Sequence, residues 1–162
     1  MLAPAVSFSD FVLAVHILAV VAAYGVTFAY PVFTRVGARL DRRAMPWFHE
    51  MQVAISRRVT NPGLLVILIA GVILAADDHQ FKHFYVGWGF LAVVVLGALE
   101  GGVKIRGTKQ LAGIAARDVE AAGSGEVVWS DEYEALSERL DRIGLLMALI
   151  VALTIFFMAL HL

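Results

Sequence analysis

The chain lacks cysteine and is poor in charge. None of its 162 residues is Cys, and only 17% are Asp, Glu, Lys or Arg, whereas 60% are hydrophobic. The absence of cysteine excludes disulfides, thiolate catalysis, iron–sulfur clusters and cysteine-ligated zinc. A soluble domain carries about a quarter charged residues, so this composition cannot cover a globular surface. The sequence also contains no P-loop, no dinucleotide-binding glycine motif and no Ser-His-Asp arrangement.

The hydrophobic residues are collected in four long runs. These runs cover residues 11–34, 59–76, 84–99 and 143–162. A helix needs about 20 apolar residues to cross a bilayer, and its backbone must be paired within the segment. We therefore predict an all-α bundle of four transmembrane helices that forms a single integral membrane domain over 1–162. The predicted helices lie at 10–35, 59–77, 82–100 and 131–161.

Positive charge is concentrated in the two longer polar segments. Twelve of the thirteen Lys and Arg residues lie in 35–58 and 104–142. Because cytoplasmic loops are enriched in these residues, we predict that loops 36–58 and 101–142 are cytoplasmic, with amphipathic segments. Both termini would then lie on the extracytoplasmic side of a bacterial inner (plasma) membrane. The basic segments face lipid headgroups in this topology, and no nucleic-acid partner is predicted.

His16 is the most informative side chain within the predicted spans. It follows Asp10 by six residues, which places it roughly 9 Å along the first helix. Ionisable residues inside a membrane are expensive and mark functional sites. A neutral imidazole is the usual axial ligand of haem iron and a frequent metal ligand. The alternative interpretation is a structural histidine that bonds a backbone carbonyl or a neighbouring hydroxyl.

Further histidines and two aspartates are predicted at the same side of the membrane. His79 and His83 are four residues apart and share a helix face, as a metal-binding pair requires. Asp77 and Asp78 add possible oxygen ligands, and His161 returns to this side at the end of the fourth helix. The set predicts a site for copper or another divalent metal, or supplies a second haem ligand from His83, His79 or His161. The alternative is an interfacial belt of polar residues.

Glu100 ends the third apolar run and is followed by Gly101 and Gly102. A carboxylate at a helix C-terminus opposes the helix dipole, so a positive partner is expected. Lys104 or an arginine of the first basic loop would supply that charge. A role in proton relay is the functional alternative for this residue.

Two stretches of the sequence carry a family resemblance. Residues 11–25 (FVLAVHILAVVAAYG) and 60–71 (TNPGLLVILIAG) resemble an uncharacterised bacterial family of four-helix integral membrane proteins. They are more distantly similar to membrane protoporphyrinogen oxidases and to CopD-like copper-resistance proteins. The resemblance implies a haem b or copper site near the outer surface. It also implies functional roles for a first-helix histidine and a lysine at the start of the third helix, to which His16 and Lys82 correspond.

Three hypotheses about function follow. The first is a haem- or metal-binding membrane protein in redox chemistry, with His16 as principal ligand. The second is a small transport or channel-like protein whose pathway uses His16 and Glu100. The third is a non-catalytic assembly partner that binds a cytoplasmic protein through residues 101–142. A homo-oligomer is expected in each case, because four short helices bury little surface.

Overall fold

In a computed structural model that describes residues 6–77 and 80–160, every regular element is helical. The α-helices are α1 (Phe8–Leu40), α2 (Met45–Ile55), α3 (Asn61–Asp77), α4 (Phe84–Leu99), α5 (Ile105–Ala122) and α6 (Asp131–Leu160). Single π-helical turns at Ser56–Thr60 and Glu100–Lys104 join α2 to α3 and α4 to α5. The predicted all-α class is confirmed.

Three of the four helical stretches are longer than the helices that the sequence predicts, whereas the fourth begins at Asp131 as predicted. Four continuous helical stretches cover Phe8–Leu40, Arg42–Asp77, Phe84–Ala122 and Asp131–Leu160. At 1.5 Å per residue, their 30 to 39 residues extend about 45 to 58 Å, whereas the hydrocarbon core is about 30 Å thick. The segments 36–58 and 101–142, predicted as loops, are therefore mainly helical continuations of the spans.

The surface of the bundle identifies an integral membrane protein. Each of the four stretches contains a window whose mean hydropathy lies between 1.8 and 2.8, yet only 11 to 28% of each window is buried. Large apolar side chains such as Leu18, Val94 and Leu145 are exposed. Exposed apolar surface on this scale needs a nonaqueous environment, so these faces contact lipid.

The four stretches form a closed ring. α1 packs on α3, α3 on α4, α4 on α6 and α6 on α1, while α2 packs on α5 beyond the ring. A cluster that includes Tyr24, Leu96 and Met147 fills its centre. We call the end at which α1 begins the His16 end, and the end at which α1 stops the Arg-rich end. Local sequence determines where individual helices begin and end. Ser7 and Asp10 form a capping box that starts α1, and Gly123, with φ of 53°, ends α5.

A side-chain contact precedes the start of α6. Asp131 is the first helical residue. Ser130 precedes it, and the Ser130 hydroxyl accepts a hydrogen bond from the backbone N–H of Tyr133 at 3.4 Å. The Asp118 carboxylate in turn accepts from the Ser130 N–H and hydroxyl, at 2.9 and 2.7 Å. The turn between α5 and α6 is thus tied to α5 by a side chain.

Candidate functional site

The inner face of α1 carries all three buried side-chain polar atoms that lack a hydrogen-bond partner among the described residues. They are Nδ1 of His16, Oη of Tyr24 and Oη of Tyr30. An unpaired buried polar group costs roughly 1 to 3 kcal/mol, and such groups in a native structure call for an explanation. Their position on a single helix face points to the space between the helices, where α1 borders two separate cavities.

The first cavity lies at the His16 end and has a volume of about 310 Å³. All four helices of the ring line it, mostly with apolar side chains. The polar contributions come from His16, Tyr24, Gln80, Tyr85 and Thr154. This volume lies at the lower end of the range of small-molecule sites, about 300 to 1,000 Å³. A mainly apolar space with a few polar groups is the composition typical of a ligand site. We call it the His16 cavity.

The imidazole of His16 fits into this wall because α3 has no side chain opposite it. A Cβ added at Gly71 would lie 3.5 Å from Cε1 and 3.9 Å from Nδ1 of His16. The ring is half-buried and also interacts with the backbone of Ile67. One face of the ring is therefore held against α3, while Nδ1 has no hydrogen-bond partner within residues 6–77 and 80–160.

Hydrogen bonding and aromatic packing fix the opposite wall. The indole N–H of Trp88 in α4 donates to the Thr154 hydroxyl of α6 at 2.9 Å. The Thr154 hydroxyl donates to the carbonyl of Ile150 at 2.8 Å. Phe157 packs edge-on against Trp88, with 5.4 Å between ring centroids. Thr154 itself lines the His16 cavity, so α4 and α6 form a defined surface opposite α1.

The other predicted ligands lie away from this cavity or outside the described residues. Lys82 and His83 are exposed and do not line it. The His83 ring stacks on Tyr85, with centroids 5.5 Å apart, and Asp77 accepts a hydrogen bond from the Ser9 hydroxyl. The predicted positions at Asp78, His79 and His161 lie outside the described residues.

The predicted metal site is not assembled within residues 6–77 and 80–160. No group of three or more His, Cys, Asp or Glu side chains that could hold a metal ion occurs there. Asp77 and His83 are the two members of the predicted set that the structure describes, and each has another contact. The divalent-metal site stays a prediction that depends on Asp78 and His79.

Packed side chains separate the His16 cavity from a second, polar space. Tyr24, Leu96, Met147 and Val151 belong to one buried cluster at the centre of the ring. Beyond this cluster, toward the Arg-rich end, lies a pocket of about 40 Å³, which we call the Lys104 pocket. Its polar lining consists of Thr27, Tyr30, Thr34, His49, Gln52, Lys104, Thr108, Ser137 and Asp141.

Lys104 occupies this pocket in close contact with α1 and α6. Its ammonium lies 5.8 Å from the centroid of the Tyr30 ring, which is within the range of a cation–π interaction. A Cβ added at Gly144 would lie 2.9 Å from Lys104 Nζ, so the glycine makes room for the charge. Lys104 also interacts electrostatically with Glu100 and Asp141, and Asp141 with Arg35.

Glu100 is the charged residue most deeply withdrawn from solvent. Its exposed fraction is 5%, and it begins the π-helical turn that also contains Lys104. None of the described Lys, Arg or His side chains lies within 4.0 Å of its carboxylate. The carboxylate does act electrostatically on Tyr24 and Tyr30. Single π-turns inside α-helices are frequent at functional sites, and this one holds the buried Glu100 and the half-buried Lys104.

A polar contact in the wall of the Lys104 pocket holds two helices together. His49 of α2, which is 2% exposed, lies with Nε2 2.9 Å from the Tyr133 hydroxyl and Nδ1 3.1 Å from Gln52 Oε1. Both nitrogens therefore have partners, whereas Nδ1 of His16 has none among the described residues. We interpret His49 as a structural histidine that joins α2 to α6.

The chain has no match among protein-family models, curated proteins or solved structures. The family resemblance of the sequence therefore stays a prediction. Sequence reasoning singled out His16 but missed the residues that shape its cavity, Gly71 on α3, Thr154 and Met158 on α6. For Gly71, the signal was available as an isolated glycine within an apolar helix, which often marks a close approach.

Proposed function

We propose that this membrane protein binds a planar, mainly apolar redox cofactor, haem b, in the His16 cavity, with His16 as the axial ligand. The observation that carries the proposal is the unpartnered, buried Nδ1 of His16 in the wall of an apolar cavity of about 310 Å³. An imidazole nitrogen without a competing hydrogen bond is available to bind iron.

The residues of the cavity fit such a group in composition. Apolar side chains of α3, α4 and α6 would enclose the porphyrin ring. Gly71, which has no side chain, leaves room for the His16 imidazole beside it. Besides His16, the lining contains Tyr24, Tyr85 and Met158, whose side chains belong to the types that bind haem iron. The cavity is partly open, so it does not restrict a ligand to the enclosed volume. Bound haem b supplies one-electron chemistry, while the apolar wall excludes water from it.

The experiment that tests this function is a hemin titration of the purified protein, followed by visible spectra of the oxidised and dithionite-reduced forms. We expect a Soret band and reduced α and β bands in the wild type, and their loss in His16→Ala. His83→Ala is the matched control, because His83 is also a histidine near this end but does not line the cavity. A wild type that stays colourless with hemin, or a His16→Ala variant with an unchanged spectrum, would refute the proposal.

Transport is the second candidate function, because one face of α1 borders both cavities. His16 and Tyr24 line the first, and Tyr30 and Thr34 the second. Proton or ion flux into liposomes that is lost in His16→Ala, together with a colourless protein, would favour transport over cofactor binding.

A further inference from the structure

We propose that the Lys104 pocket is a proton-exchange site, in which water from the Arg-rich end passes a proton by way of Asp141 and Lys104 to and from the Glu100 carboxylate. This site is distinct from the His16 cavity, and the inference does not depend on what that cavity binds. Three observations support it: a gradient of burial, room for water and the absence of a fixed ion pair.

Burial increases along the three charged groups. Asp141 is exposed, Lys104 is half-buried and Glu100 is 5% exposed. Both carboxylates act electrostatically on Lys104, which therefore lies between them in this sequence of interactions. A proton that enters at Asp141 therefore meets progressively less solvent as it approaches Glu100.

The pocket has room for water and many partners to hold it. About 40 Å³ exceeds the roughly 10 to 15 Å³ that one water molecule requires. The hydroxyls of Thr27, Thr108 and Ser137 line the space, and the unpartnered Tyr30 hydroxyl lies at the same pocket. Buried water is stable where it finds about three polar partners, and these groups supply more than that.

The charges are not locked against one another. None of the described cations forms an ion pair within 4.0 Å of Glu100, and the four ion pairs of the described residues do not include Lys104 or Asp141. A tight pair would keep the protons fixed, whereas unpaired groups can exchange them. Glu100 does not itself line the pocket, and it is connected to the pocket through Lys104, at the other end of the same π-helical turn. Other titratable or charged groups around these three among the described residues are Tyr24, Tyr30 and Arg35 of α1, His49 of α2 and Tyr133 of α6.

The test is infrared spectroscopy of the full chain in lipid nanodiscs, with the carboxylic acid carbonyl band followed as a function of pH and after transfer to D₂O. We expect a buried carboxyl band in the wild type that titrates with pH and is absent from Glu100→Gln. Glu134→Gln, at an exposed position of α6, is the matched control and should leave the band unchanged.

The route is tested by the rate of hydrogen–deuterium exchange of the same band. Asp141→Asn and Lys104→Gln should each slow it by about a hundredfold, the lower range of what a positioned proton-transfer group contributes. If no band titrates, or if the band survives Glu100→Gln, Glu100 is not the proton-carrying group. If exchange in Asp141→Asn and Lys104→Gln matches the wild type, the pocket is not the route. If Glu100→Gln does not fold, the exchange rates of Asp141→Asn and Lys104→Gln decide by themselves whether the proposal holds.

Discussion

Replacing Gly63 by alanine will push α1 away from α3. A Cβ at this position would lie 2.8 Å from the Cβ of Ala23 and 3.5 Å from its Cα. Carbon atoms pack at about 3.5 to 4.0 Å, so the two helices must separate by about 0.7 Å or more. The Cβ of Ala23 is fixed to the backbone and cannot rotate aside, and Ala23 is only 1% exposed.

Overpacking of this kind costs about 1 to 3 kcal/mol. Alanine also raises helix propensity, by about 0.8 to 1.0 kcal/mol relative to glycine, so the variant needs a control that isolates the clash. Gly97→Ala provides it, because a Cβ there meets no atom within 4 Å. We expect Gly63→Ala to be about 1 to 3 kcal/mol less stable than Gly97→Ala.

The assay is unfolding by sodium dodecyl sulfate in mixed micelles, followed by circular dichroism at equilibrium. Each variant adds one methyl group at a helical glycine, so their unfolding curves can be compared directly. If Gly63→Ala and Gly97→Ala unfold at the same detergent fraction, α1 and α3 do not approach as closely at Gly63 as the structure has them.

Three further outcomes are expected. Thr154→Val removes the acceptor of the Trp88 indole and should destabilise the bundle by about 1 to 3 kcal/mol, with a change in tryptophan fluorescence. Tyr133→Phe removes the hydroxyl that contacts His49; it should cost about 1 kcal/mol, and hydrogen exchange should rise in α2 rather than in α4. Gly71→Leu fills the His16 cavity and should weaken hemin binding by about tenfold or more, or roughly 1.4 kcal/mol. An unchanged stability of Thr154→Val, or unchanged hydrogen exchange in Tyr133→Phe, would contradict the corresponding hydrogen bond. An unchanged hemin affinity of Gly71→Leu would contradict binding in the His16 cavity.

The four helices could be predicted from sequence because lipid solvation imposes long apolar runs. The helical continuations of the first three beyond their apolar runs could not, since these parts are amphipathic and have the charge of ordinary loops. Gly101 and Gly102 look like a helix break, yet they lie within a π-helical turn. Such a turn adds one residue to the helix and needs no loop, so single-sequence patterns give no warning of it.

The candidate site could be predicted only in part for a different reason. His16 stands out because an ionisable residue in an apolar run is costly. The cavity around it is built by residues such as Gly71, Gly89 and Met158, which are ordinary in a membrane helix. Only their positions on facing helices give them a role, and a single sequence does not show which helix faces which. Lys82 and His83 illustrate the converse. Their positions in the sequence made them candidate ligands, yet both are exposed and do not line the cavity.

The unbroken α1 has a thermodynamic consequence. Because His16 and Tyr30 project from the same helix into different cavities, a displacement of α1 changes the volume of both. If a ligand in one cavity favours one position of α1, it also changes the free energy of protonation in the other cavity, because both sites respond to the position of the same helix. Linkage then requires the effect to be mutual: a ligand that alters proton uptake at the Arg-rich end must itself bind with a pH-dependent affinity. A shift of one helix would then couple two sites that lie about 21 Å apart along its axis.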